Sequence, residues 1–318
     1  MTSDEEEVTY YVVMSLSALT LISLCVSLAI LCKKMPVESG ESLPTKRLAR
    51  SYGLSEIDDA TDGFNPARVV GRGGFGIVYA AVLETGQLAA VKRIYPGLVL
   101  INDVGFGFAA VIRSISSALH PNIVPVIGFS QAPGERIIVN EFVGLGSLEF
   151  YLHHEGDENV SLLDWSRRIR IAAGAARGLE YLHSQNIRHG LVKASNVLID
   201  INFTARVSDY GLSFLAPLKE DDRSTEADVY RFGVLLLEIL SGRRSEECGG
   251  PALAKWAVPL IKGSEFGELL DRRLSIPKDT VILQRLARVA LACVGNSRRN
   301  RPSMVEVAAI LGNLESQV

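Results

Sequence analysis

Gly71, Gly73 and Gly76, within Gly71-Arg72-Gly73-Gly74-Phe75-Gly76-Ile77-Val78, fit the spacing GxGxxGxV. Without a Cβ a glycine lets the backbone approach phosphate oxygens, and the branched Val78 next along the chain can cover a purine ring. Glycines alone also make an ordinary hairpin that binds nothing, and that alternative stays open. Ala90-Val91-Lys92, beginning fourteen residues after Gly76, favours the chemical reading. A loop laid over phosphates needs a cation from the neighbouring strand, and Lys92 supplies it. The chemistry these residues suit is the binding of a nucleoside triphosphate. Other reactive groups carry less. Cys25, Cys32, Cys248 and Cys293 have no metal-ligand spacing and make no disulfide framework. His153-His154 reads as a solvated helix end, not a metal site, and Ser213, Ser224 and Thr225 as ordinary exposed hydroxyls.

The elements that must hold the glycines and Lys92 are β-rich. Residues 69–70, 77–83, 88–94, 123–129 and 137–143 read as strands, a sheet of five antiparallel strands. Phe108, Val111, Ile112, Ile115 and Leu119 recur at a helical period inside it. After Gly144 the texture turns helical: Asp164-Trp165 is a cap before a helix to His183, and 228–240, 253–261, 281–293 and 303–314 hold similar apolar stripes. A small β-rich lobe thus precedes a larger helical one, an α+β arrangement.

Charge shapes the N-terminus. Asp4-Glu5-Glu6-Glu7 is followed by 25 residues, 8–32, without one charged side chain. A bilayer core of roughly 30 Å needs about 20 helical residues, so 8–32 reads as a transmembrane helix, and the acidic start argues against a cleaved signal peptide. Lys33 and Lys34 place the chain beyond them in the cytoplasm. That leaves 1–7 as a short extracytosolic tail and 33–53, with Pro36, Gly40 and Pro44, as a flexible juxtamembrane linker. The formal net charge of -3 gives no basic face for nucleic acid.

From the glycine loop onward the chain resembles the plant receptor-like protein kinases. The resemblance is carried by Leu54-Ser55-Glu56-Ile57-Asp58-Asp59-Ala60-Thr61, His120-Pro121-Asn122-Ile123-Val124, Leu163-Asp164-Trp165 through Gly174-Ala175-Ala176-Arg177-Gly178-Leu179, Asp228-Val229-Tyr230 and Arg301-Pro302-Ser303-Met304. It implies a bilobed protein-kinase fold, N-lobe 54–143 and C-lobe 144–315, behind the membrane helix. It also implies roles. Glu141 and Val143 offer backbone hydrogen bonds to adenine, Asn140 holds the gatekeeper position, and Val78, Ala90 and Leu198 sandwich the ring. Lys92 meets the α- and β-phosphates, while Asn196 and Asp209 hold Mg²⁺. ATP and Mg²⁺ are the implied cofactors, the plasma membrane the implied location, and other signalling proteins or kinases the implied partners.

The departures from the family pattern bear on activity. Val111 stands where a glutamate pairs with the strand lysine, and no glutamate lies between Glu84 and Glu135; Asp209 is the nearest substitute partner. His189-Gly190-Leu191-Val192-Lys193-Ala194-Ser195-Asn196 puts Leu191 at the catalytic-base position. Losing a general base costs about 10²- to 10⁴-fold, roughly 3 to 5 kcal/mol. Only nineteen steps separate Asp209 from Asp228, and Leu218 replaces the glutamate that ties down the activation segment through Arg301. The expectation is a membrane-anchored pseudokinase that binds ATP and serves as a scaffold or allosteric partner. A serine/threonine kinase of low activity and a nucleotide-free adaptor are the alternatives.

Overall fold

The structure is a computed structural model; it describes residues 48–101, 107–153, 163–216, 224–245, 252–277 and 279–318. Strand β1 (Arg50–Ser51) and helix α1 (Leu54–Thr61) lead into β2 (Val69–Arg72), β3 (Gly76–Val82) and β4 (Leu88–Ile94). Helices α2 (Pro96–Ile101) and α3 (Phe108–Ile115) precede β5 (Val126–Ala132) and β6 (Glu135–Glu141). The sheet runs β1-β5-β6-β4-β3-β2, six strands, with β1 parallel to β5 and the other pairs antiparallel.

The expected sheet of five antiparallel strands is thus corrected to six. The added strand comes from within the expected linker. Gly128 makes room for it: a Cβ there would collide with the Arg50 carbonyl and the Tyr52 ring. Ala49 N–H donates to Ser116 Oγ at 3.0 Å and Tyr52 N–H to the Phe129 carbonyl at 2.8 Å. The expected transmembrane helix is also unsupported. Among the described residues no helix is long and apolar enough to cross a membrane, and 8–32 lies outside them.

Alternation along β4 sets the site. Ala89 and Val91 are buried against Ile57, Ala60 and Tyr52 in a small core under α1, which turns Ala90 and Lys92 to the opposite face. Burying Ile57 completely in that core contributes roughly 1.5–3 kcal/mol.

The second lobe holds α4 (Leu148–His153), α5 (Trp165–Ser184), the hairpin β7 (Val197–Ile199) and β8 (Ala205–Val207), α6 (Thr225–Ser241), α7 (Leu253–Lys262), α8 (Phe266–Leu269), α9 (Val281–Cys293) and α10 (Met304–Glu315). Its helices start where the sequence supplies caps. Asp164 accepts from Arg167 N–H at 2.8 Å, and Ser303 with Glu306 forms a capping box. Gly174 and Gly178, one turn apart on α5, let Asn122 lie against the helix; a Cβ at Gly174 would stand 2.9 Å from Asn122 Nδ2. Asn122 N–H₂ in turn donates to the Ala205 carbonyl at 3.0 Å, bringing β8 onto α5. The main core continues from α3 and β5 through β7, α5, α6, α9 and α10.

Candidate nucleotide site

A cavity of about 630 Å³ opens between the sheet and the helical lobe. Gly71 and Gly73 roof it, with Val78 on β3, Ala90 and Lys92 on β4, and Glu141 and Val143 at the exit of β6. Register puts Val78 opposite Lys92, Ala90 opposite Asn140 and Ala89 opposite Glu141. Leu198 on β7 and Leu191, Asn196 and Asp209 form the floor. Gly76 is absent from the wall. It is buried at the start of β3, and a Cβ there would collide with the Arg93 carbonyl, so its glycine serves the close passage of two strands. Arg72, Gly74, Phe75, Lys193, Ser195, Ser208 and Glu149 also line the cavity without having been assigned to it from sequence; Arg72, a cation between two phosphate-suited glycines, and Lys193, a cation two residues after Leu191, were the readable ones.

The catalytic loop hangs from one buried carboxylate. Asp228 on α6 is fully buried and accepts from His189 N–H at 2.8 Å and Gly190 N–H at 2.7 Å, with His183 Nε2 at 3.0 Å. Burial pushes this carboxyl up, but the His183 hydrogen bond, the neighbouring His189 and the Gly190 amide outweigh it and hold it below the ordinary value. Gly190 has φ +80° and its missing Cβ would meet Ser213 Oγ at 2.9 Å. The glycine therefore admits the turn Ser213–Leu215, whose Leu215 is buried. Leu191 donates its N–H to His189 Nδ1 at 3.3 Å and accepts Asn196 N–H₂ on its carbonyl at 2.9 Å. Its backbone is thus held at both its N–H and its carbonyl; its side chain holds no proton acceptor.

Lys92 donates to both carboxylate oxygens of Asp209, each side chain 12% exposed. α3 carries Val111 and contains no acidic residue, so it offers Lys92 no alternative. Asp209 has φ +60° and is followed by Tyr210, whose hydroxyl donates to the Val124 carbonyl at 3.0 Å. At the other end, Glu141 is held by Arg206 Nη2 at 3.1 Å, and Arg206 Nε donates to the Ile123 carbonyl at 3.0 Å. Asn140 lines the rear of the cavity with no side-chain hydrogen bond among the described residues.

The wall fits a nucleotide: a glycine roof, an apolar pair at Val78 and Leu198, backbone groups at the exit of β6 and three cations, Arg72, Lys92 and Lys193. It does not fit a divalent cation as arranged. Both oxygens of Asp209 are taken by Lys92, and Asn196, whose N–H₂ donates to the Leu191 carbonyl, offers only an uncharged amide oxygen in their place. Leu218 lies outside the described residues. Arg301 nevertheless has partners: Nη1 donates to the Glu226 carbonyl at 2.9 Å, Nε to the Gly295 carbonyl at 3.0 Å, and its guanidinium stacks over Tyr230.

His153 differs from the solvated end expected for it. It is 8% exposed, its Nε2 has no hydrogen bond among the described residues and stands 3.9 Å from Glu238 Oε1. Burial, then the nearby Arg244 and Arg273, lowers its pKa to about 4, so it is neutral at pH 7 and that contact is no ion pair. His154 lies outside the described residues.

Six-stranded sheet, helical lobe and the cavity between them define the protein-kinase class of fold. A family profile described as protein tyrosine and serine/threonine kinase matches residues 64–221 and 214–311. Curated relatives from Arabidopsis thaliana include serine/threonine-protein kinase-like protein CCR2, 39% identical over 265 residues, covering 82% of this chain and 34% of the relative. Proline-rich receptor-like protein kinase PERK1 is 36% identical over 300 residues, 83% of this chain and 45% of its own length. PERK3 is 35% identical over 315 residues, 89% of this chain and 60% of its own length. The chain belongs to the protein kinase family, among the plant receptor-like kinases. It spans between about a third and three-fifths of the length of these relatives.

Proposed function

We propose that this chain is a pseudokinase that binds ATP and works as a scaffold or allosteric partner of other signalling proteins or kinases. One observation carries the reading. Leu191 stands in the cavity wall at the end of an otherwise well-anchored catalytic loop. An isobutyl group cannot orient or deprotonate a substrate hydroxyl. The other carboxylates lining the cavity are no replacement: Asp209 is bound by Lys92, Glu141 by Arg206, and Glu149 lies 3.9 Å from Arg244 Nη1. Nucleotide binding is supported by the glycine roof, Val78, Ala90, Leu198 and Lys92, which all face one space.

In this reading the residues bind and orient. Val78 and Leu198 bracket the base, Glu141 and Val143 present backbone groups to its edge, and Lys92 meets the phosphates. The bound nucleotide joins the two lobes and so sets the surface shown to partners. Thermal unfolding of the full chain with and without ATP tests it. A ligand at 100 times its Kd stabilises by about 2.7 kcal/mol; an unmoved midpoint at millimolar ATP would favour the nucleotide-free adaptor. Weak phosphotransfer is the second reading, favoured by the convergence of Lys92, Asn196 and Asp209 on the same cavity; it requires label transfer from ATP that vanishes in Lys92→Ala.

A further inference from the structure

We infer that the cavity takes its nucleotide without a divalent cation, the phosphates being met by Lys92, Lys193 and Arg72. The inference rests on the nucleotide-binding reading. Its ground is the charge arrangement of the wall. Asp209 would have to be a metal's main anionic ligand, and Lys92 engages both of its carboxylate oxygens. A dication arriving there must evict an ammonium that α3 cannot receive, because Val111 stands in a helix with no acidic residue. The pair is largely buried, and an evicted ammonium in such a place is costly unless another anion takes it.

No other acid in the wall is placed to recruit the metal. Glu141 is turned to Arg206 on β8 and Glu149 toward Arg244. The cations are arranged the opposite way. Arg72 in the glycine loop and Lys193 in the catalytic loop both line the cavity, both are exposed, and neither has an ion pair among the described residues. With Lys92 they place three positive charges where a triphosphate lies, and phosphate is attracted by ammonium and guanidinium groups as by a metal ion. Lys92 spends two of its three N–H groups on Asp209 and keeps the third for a phosphate, so it can meet the nucleotide without freeing the carboxylate for a metal.

Calorimetric titration of the full chain with ATP, once in EDTA and once in excess magnesium, separates the cases. The two dissociation constants are expected to agree within about threefold. Binding that is about tenfold or more weaker in EDTA than in magnesium overturns the inference and leaves nucleotide binding standing. No binding in either buffer overturns both. Two variants probe the cause. Val111→Glu gives Lys92 a second carboxylate and releases Asp209, so magnesium should then tighten ATP binding by about tenfold; equal affinities in both buffers would contradict the charge argument. Lys193→Ala should weaken binding in EDTA by about threefold or more, and an unchanged affinity would remove Lys193 from the assignment.

Discussion

Leu191 replaces a proton acceptor with an alkyl group while leaving the loop around it intact, with His189 and Gly190 still hanging from Asp228. The defect is therefore chemical at that residue. Leu191→Asp alone is expected to leave phosphotransfer undetected, because Val111 still provides no partner for Lys92 and Asp209 stays bound to it; full recovery in a labelled-ATP assay would show that those differences are unimportant. Lys92→Ala strips Asp209 of its counter-charge in a largely buried place and is expected to cost about 1–3 kcal/mol in urea unfolding as well as weakening ATP binding. Much of this was legible in the residues. Glycine spacing, Ala90-Val91-Lys92 and Leu191 depend on local order alone. The Lys92-Asp209 pair, whose partners are 117 positions apart, came only as a consequence of the missing glutamate at Val111. The role of Gly76 was misread because its glycine answers to Arg93 across the sheet, a neighbour no local spacing reveals.

Elements were read best where periodicity is long. Helix α9 falls on the predicted 281–293, and β4 on the predicted 88–94. The short ones escaped: β1 has two residues and exists because Gly128 leaves space for it, and the hairpin β7-β8 has three residues in each strand. Gly128→Ala should push β1 off β5 and cost about 1–3 kcal/mol. Hydrogen exchange at Tyr52 N–H, which donates to Phe129, should accelerate with it; unchanged protection would mean β1 needs no glycine opposite.

Burial is the other property that short windows miss, as His153 at the end of α4 shows. Packed beside Glu238, Arg244 and Arg273, it titrates near 4 in the fold, against about 6.5 unfolded. The unfolded chain then binds more protons between those values, so stability is full above pH 6.5 and declines as pH falls toward 4. At pH 5 this group costs about 2 kcal/mol. In His153→Gln the loss in urea midpoint between pH 7 and pH 5 should shrink accordingly; an identical loss in both proteins would place the titrating group elsewhere.

At the scale of the molecule, the two lobes meet around the nucleotide cavity, and the described residues are tied together behind it by Asn122 against α5 and by Arg206 reaching from β8 to Glu141. The bilobed arrangement was legible because β-rich and helical textures separate cleanly at Gly144. The docking of residues 49–52 on the sheet was not, since a polar, proline-containing stretch gives no strand signal. A ligand that bridges the lobes should raise the unfolding midpoint of both together, so calorimetry with ATP is expected to show one transition that moves as a unit.

The distinction between binding and transfer rests on one measurement. The full chain is incubated with ATP labelled at the γ-phosphate and a generic protein substrate, and binding and label incorporation are read on the same sample. The expected result is saturable ATP binding with no label transferred to the chain or the substrate. Transfer that disappears in Lys92→Ala would contradict it, because phosphate would then be moving through a cavity with Leu191 at the base position.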